Sequence, residues 1–265
     1  MPMSFKGAHF PQEIILTCVR WYVAYPLSYR HVEELMQERG VYVDHATIQR
    51  WVVKYSPQLE ETFHRCKRPV GISWRLDETY IRVKGEWRYL YCAVDKQGQT
   101  IDFLLTEHWD QEAALRFLKQ AIRRHGVPEK ITIDSSEANE AAIKRYNEAH
   151  GTAIDIRQIK YLNNMVEQDH RAVKRITRPM LGFKSFAAAQ ATLVGIELMH
   201  MLRNANWSVK TGLKALPQSN SSMLWPPNLH IDRPHETLTE NLRHNPFLTP
   251  SPGSLLACPG QKITP

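Results

Sequence analysis

The chain has 265 residues, room for one or two domains, and its 43% of hydrophobic residues is enough for a core. A formal net charge of +7 favours a polyanionic partner, nucleic acid before others. The four cysteines, Cys18, Cys66, Cys92 and Cys258, form no C-x-x-C pair, which argues against a structural zinc site or a disulfide framework. The opening segment MPMSFKGAHF lacks the apolar stretch of a secretory signal, and no apolar run is long enough to span a membrane. A reduced, cytoplasmic protein without a membrane partner is expected.

Three short helices fit residues 11–57. Ile14, Ile15, Cys18, Val19 and Tyr22 recur at helical spacing in the first, which Pro26 ends. Ser28 can cap the second, which carries Val32, Leu35 and Met36 on one face and stops at Gly40. Asp44 can cap the third, with Ile48, Trp51, Val52 and Tyr55 along one side. Its other side presents His45, Thr47, Gln49, Arg50 and Lys54. Two helices around a glycine turn, the second polar and basic outside, fit a helix-turn-helix over 1–64 that reads DNA through Thr47, Gln49, Arg50 and Lys54. The competing reading is a three-helix cap with a solvated face. His64, Arg65, Lys67 and Arg68 read as a basic linker.

From Ile72 the period changes from helical to alternating. Strands are expected at 73–83, 86–95 and 100–106, with turns at Gly85 and Gly98. A helix capped by Asp110 closes at Gly126, followed by a strand at 130–134, a helix at 137–150, a strand at 154–159, a helix from Asn163 or Asn164, and a last apolar helix at 185–203. The order βββ-α-β-α-β-α-α predicts an α/β domain over 65–204, a mixed sheet covered by helices in the ribonuclease-H-like order. The segment 205–265 holds nine of the sixteen prolines and no sustained period, and is expected to be loosely ordered.

Three carboxylates sit where metal-assisted phosphodiester chemistry needs oxygen ligands from separate elements. Asp77 interrupts the apolar run of the first strand, where an unpartnered charge is costly. Asp134 ends the strand KITID, at the strand end where open α/β sheets gather ligands. Glu167 opens the helix after Asn163 and Asn164. Each has a structural alternative: an outward strand residue, a helix cap, and a carboxylate favoured by a helix N-terminus. Glu167, Arg171, Lys174 and Arg178 follow at helical offsets on one face, which suits a metal site beside a phosphate backbone. Asp95, Asp110, Asp155 and Asp169 are set aside as turn, cap, strand-start and away-facing residues, and Glu78 as facing away from Asp77.

The segments WRLDETYIRVKGEWRYLYCAVDKQGQTIDF, ITIDSSEANEAAI and IKYLNNMVEQDHRAVKRITRPMLGFKSF resemble the DDE transposases of bacterial insertion-sequence family six, within the retroviral-integrase-like superfamily. The resemblance implies that Asp77, Asp134 and Glu167 are the catalytic triad and hold two Mg2+ or Mn2+ ions. It implies that Lys174 contacts DNA near them and that the N-terminal helices bind terminal inverted repeats. It implies a homodimer or larger assembly that frees a 3′-hydroxyl, joins it to target DNA and gives cointegrates, in a bacterial cytoplasm beside the nucleoid. After Asp134 the family usually has Lys-Ser-Gly-Ala-Asn, where this chain has Ser135-Ser136-Glu137-Ala138-Asn139. That exchange removes a positive charge and adds a negative one. With a tail unlike the usual ending, it leaves a competing reading: a decayed or co-opted copy that binds DNA without strand transfer. A plain nuclease of RNA–DNA hybrids would explain the triad but not the N-terminal helices.

Overall fold

Alternation along the strands sends odd and even side chains to opposite faces, and both faces of this sheet find a helical cover. A computed structural model of the chain describes residues 4–204. Three helices, α1 (Gln12–Ala24), α2 (Tyr29–Gln37) and α3 (His45–His64), precede a hairpin of β1 (Ser73–Val83) and β2 (Glu86–Asp95). Then follow β3 (Thr100–Thr106), α4 (Gln111–His125), β4 (Lys130–Ile133), α5 (Glu137–His150), β5 (Asp155–Gln158), α6 (Asn164–Thr177) and α7 (Phe186–Arg203). The sheet order is β3-β2-β1-β4-β5. Strands β1, β2 and β3 run antiparallel, while β4 is parallel to β1 and to β5. This is the ribonuclease-H-like arrangement the element order predicts.

On one face, Trp74 and Leu76 of β1 and Tyr91 and Ala93 of β2 pack with Phe117 and Leu118 of α4 and Ile143 of α5. On the other, Ile81, Val83, Leu90, Cys92 and Val94 join α6 and α7, and the same cluster takes in Ile15, Val19, Ile48, Val52 and Leu59 of the first three helices. Helices α1 and α3 rest on α7, where Gly195 allows the approach: a Cβ there would lie 2.7 Å from Val23 Cγ1 and 2.8 Å from Ser56 Oγ.

Helix starts follow the capping chemistry of the sequence. Ser28 Oγ accepts from His31 N at 3.1 Å, Asp44 Oδ2 from Ala46 N at 3.0 Å and Asp110 Oδ1 from Ala113 N at 2.8 Å. Helix α3 outruns the expectation that it ends at 57. It passes through Pro57 to His64 because Leu59 and Phe63, both 2% exposed, extend its apolar stripe. Their burial offsets the backbone donor that proline lacks. His64 is therefore helical rather than part of a linker. The strands at 130–134 and 154–159 are shorter than expected, leaving Asp134 just past the end of β4. The expected loose tail at 205–265 lies outside the described residues.

The β1–β2 turn uses Lys84 at φ 53° and Gly85 at φ 81° between the paired Val83 and Glu86. Two left-handed residues in succession match the twist of a tight hairpin. On its other edge, β1 pairs with β4 at residues 73–75 and with Phe183 at Val83. Between these two points the ladder is interrupted, and the interruption is where Asp77 sits.

Candidate active site

Strand pairing brings the first two carboxylates together. Arg75 pairs with Thr132 in the parallel register of β1 and β4. Two residues further along each chain are Asp77 and Asp134, the latter past the end of its strand. Asp134 is not the helix cap that the competing reading made it. Ser136 caps α5, its Oγ accepting from Asn139 N at 3.5 Å, while Asp134 Oδ1 accepts from Ser136 N at 3.0 Å and braces the turn. Ser135 and Glu137 are exposed beside it.

Glu167 lies in the first turn of α6 and is exposed. Val166, Val173 and Ile176 anchor that helix to the sheet face on which Asp77 projects. Asn163, just before α6, reaches β1 directly, its Nδ2 3.5 Å from the Leu76 carbonyl. Burial pushes the Asp77 carboxyl up to about 7, and the negative charges of Glu78, Asp134 and Glu167 push in the same direction. Asp77 thus senses both other members of the predicted set. The oxygens of all three do not gather within 4.8 Å of one another, as those of tighter clusters in this protein do. Like charges oppose a tighter grouping, and Glu167 is exposed.

Glu78 points to the opposite face, as expected, yet it is tied to the same place. Burial raises its pKa, hydrogen bonds from Asn139 and Trp109 oppose the rise, and Asp134 adds to it. Asn139 Nδ2 lies 3.0 Å from Glu78 Oε2.

Along α6, Arg171 is exposed and Lys174 half-buried on the side of Glu167. Arg178 is also exposed, but it sits at the C-cap of α6, where a 3-10 turn (Arg178–Met180) begins. In α3, Gln49, Arg50 and Lys54 are exposed and Thr47 half-buried, on the side away from Ile48 and Val52. Lys54 Nζ lies 5.0 Å from the centre of the Tyr55 ring.

Sequence reasoning missed three buried groups. His170 Nδ1 lies 3.7 Å from Asp77 Oδ2, and burial lowers the imidazole to about 4, so near pH 7 this is a contact with a neutral ring. Asp169 does face away from Glu167, but into the interior. Its Oδ1 lies 2.7 Å from His200 Nδ1 and 3.4 Å from Thr100 Oγ1. Glu197, fully buried in α7, completes a cluster with Asp169 and Cys92. Burial and the Asp169 charge raise Glu197 well above the ordinary carboxylate value and favour its uncharged form. A lone Glu inside the apolar run LVGIELMHM was the available signal.

A family model described as a DDE domain matches residues 71–206. The chain is 38% identical over 204 residues to the transposase for insertion sequence-like element IS431mec of Staphylococcus aureus, covering 76% of this chain and 89% of that protein. It is equally similar to the transposase for insertion sequence element IS257 in transposon Tn4003 of the same species, at 38% identity over 204 residues. Among solved structures, the catalytic core domain of HTLV-2 integrase in complex with magnesium overlaps 48% of this chain and 83% of its own, at TM-score 0.39 and 17% identity. The BIV integrase core domain overlaps 48% and 82%, at TM-score 0.38 and 18% identity. Among the described residues, no helix is long and apolar enough to cross a membrane.

Proposed function

The chain belongs to the DDE transposases of bacterial insertion-sequence family six, and on that premise we propose that Asp77, Asp134 and Glu167 are its catalytic carboxylates. One observation carries the assignment: the Arg75–Thr132 pairing brings Asp77 of β1 and Asp134 at the end of β4 to matching positions two residues on, and α6, which has Glu167 in its first turn, packs against β1. All three offer hard oxygen donors, the set that magnesium or manganese prefers. Two such ions would be held among the three carboxylates. When bound, such ions supply charge stabilisation to the attacking and leaving oxygens of a phosphodiester.

The chain's own groups do the rest. Asp77 would hold the ions as its carboxylate. Asp134 stays braced by the Ser136 amide at 3.0 Å. Neutral His170 packs against Asp77 without adding charge. Arg171, Lys174 and Arg178 hold the phosphate backbone beside Glu167. The segment 1–64 forms the DNA-reading domain, with Thr47, Gln49, Arg50 and Lys54 of α3 facing terminal inverted repeats, and 65–204 forms the catalytic domain. The protein acts in the cytoplasm, near the nucleoid, as a homodimer or larger assembly. It frees a 3′-hydroxyl at each element end and joins it to target DNA, giving cointegrates. Exposed Ser135 and Glu137 beside Asp134 favour a second reading, a copy that binds DNA without strand transfer.

Glu167→Gln tests the assignment. Metal-dependent cleavage of a labelled element end is expected to vanish while binding of that end, read by gel shift, is kept. Loss of both together would make Glu167 a structural residue and remove it from the site.

A further inference from the structure

The β1–β2 hairpin carries an uncovered aromatic surface that the chemistry above does not use. Cross-strand pairing puts Glu78 opposite Tyr91, Tyr80 opposite Tyr89 and Arg82 opposite Trp87, three successive rungs on one face. Helices α4 and α5 cover this face at the Tyr91 rung, where Tyr91 stacks on Phe117 at 5.9 Å. The outer two rungs are left open. Trp87 is 60% exposed, Tyr80 49% and Trp109, which precedes α4, 47%. The rings form a continuous chain: Trp87 to Tyr80 at 6.3 Å, Tyr80 to Tyr89 at 5.5 Å, and Tyr89 to Trp109 at 6.2 Å, stacked at 21°. The chain of rings ends at Glu78, to which Trp109 donates a hydrogen bond and which also feels the charge of Asp134.

From this geometry we infer that the ladder Trp87–Tyr80–Tyr89–Trp109 is a stacking platform for unpaired bases of the DNA strand processed at Asp77, Asp134 and Glu167; it rests on the function proposed above. Three features select this occupant. Arg82 lies on the same face, directly opposite Trp87, with Lys84 at the hairpin tip, so cations for phosphate flank the rings. The open rungs hold only tyrosine, tryptophan and arginine, whose flat faces accept any base and whose polar tips stay wet. The inner rung ends at Glu78, which is bonded by Asn139 of α5 and feels the charge of Asp134, so the ladder runs toward the β4 end of the site. A closed duplex hides its base faces, and only bases taken out of the stack can use such a surface.

The test uses the full chain without divalent metal and two probes, a twelve-nucleotide single-stranded DNA and the same sequence as a duplex. Anisotropy is expected to show Trp87→Ala losing single-strand affinity roughly ten-fold, with duplex affinity within about two-fold of wild type and Trp87→Phe regaining most of the loss. Trp87 is largely exposed, so unchanged melting is the check that the variants fold. Equal single-strand affinity of Trp87→Ala and wild type overturns the ladder. Conversion of an oligomer to monomer by Trp87→Ala in sedimentation also overturns it and assigns the face to a second copy. Cleavage of a duplex end in added Mg2+ separates the two readings. If wild type cleaves and Asp134→Asn does not, the site stands whatever the ladder does. If wild type fails to cleave, the site reading fails and the ladder loses the strand it serves.

Discussion

Asp77→Asn should stabilise the metal-free protein at neutral pH, and the gain should depend on pH in a defined way. The Asp77 carboxyl rises from 3.8 to about 7 on folding. A carboxyl with a raised folded pKa binds a proton more tightly in the native state. Stability is therefore lost as pH rises from about 4 to about 7 and stays constant above that. At about 1.4 kcal/mol per unit, the full shift corresponds to about 4 kcal/mol. The side chain remains 17% exposed, so solvent screens part of it and about 2–4 kcal/mol is expected at pH 8. For a folded body of this size that is a rise of roughly 6–12 °C in Tm. At pH 5 less than half of the gain should remain, and near pH 4 almost none. The assay is thermal unfolding of wild type and variant in EDTA across that range. An Asn variant no more stable at pH 8 than wild type, or a gain that persists unchanged to pH 4, would refute the burial of Asp77 among like charges.

Two other substitutions probe the surroundings of the site. Gly195→Ala drives a methyl group into Val23 and Ser56 where α7 meets α1 and α3, at 2.7 and 2.8 Å, and should cost about 1–3 kcal/mol in urea unfolding; unchanged stability would contradict that close approach. Glu197→Gln should cost under about 1 kcal/mol, because burial already favours the uncharged form of this carboxyl, whereas Glu197→Ala leaves a cavity worth about 2–5 kcal/mol. Equal losses for the two would mean that Glu197 is ionised and paired.

Much of this molecule is readable from residue order because its strands and helices obey their own periods. The three strands from Ser73 to Thr106 have the expected bounds, and α4 lies between the Asp110 cap and the glycine at 126. The candidate carboxylates were legible for a similar reason. Asp77 breaks an apolar strand, Asp134 ends another, and Glu167 opens a helix, so position in an element carried the inference. What resisted were features that depend on packing between distant elements. Helix α3 runs past Pro57 only because α7 lies there to receive Leu59 and Phe63. Asp169 looks like one more surface carboxylate of a polar helix, and only the arrival of His200 and Thr100 makes it interior. His170 acquires its place beside Asp77 from the way α6 crosses β1. The open aromatic face of the hairpin was present as alternation, but alternation does not tell which rungs a helix will cover.

The central claim, that Asp77, Asp134 and Glu167 perform metal-dependent strand transfer, is tested most directly by cointegrate formation. A donor plasmid carries the gene with its flanking DNA, beside an Asp134→Asn control. Cointegrates from the native gene and none from the control are the expected result, with Ser135 and Glu137 tolerated beside Asp134. No cointegrates from either, with binding to the element ends intact, would contradict the claim and leave a protein that holds DNA without joining it.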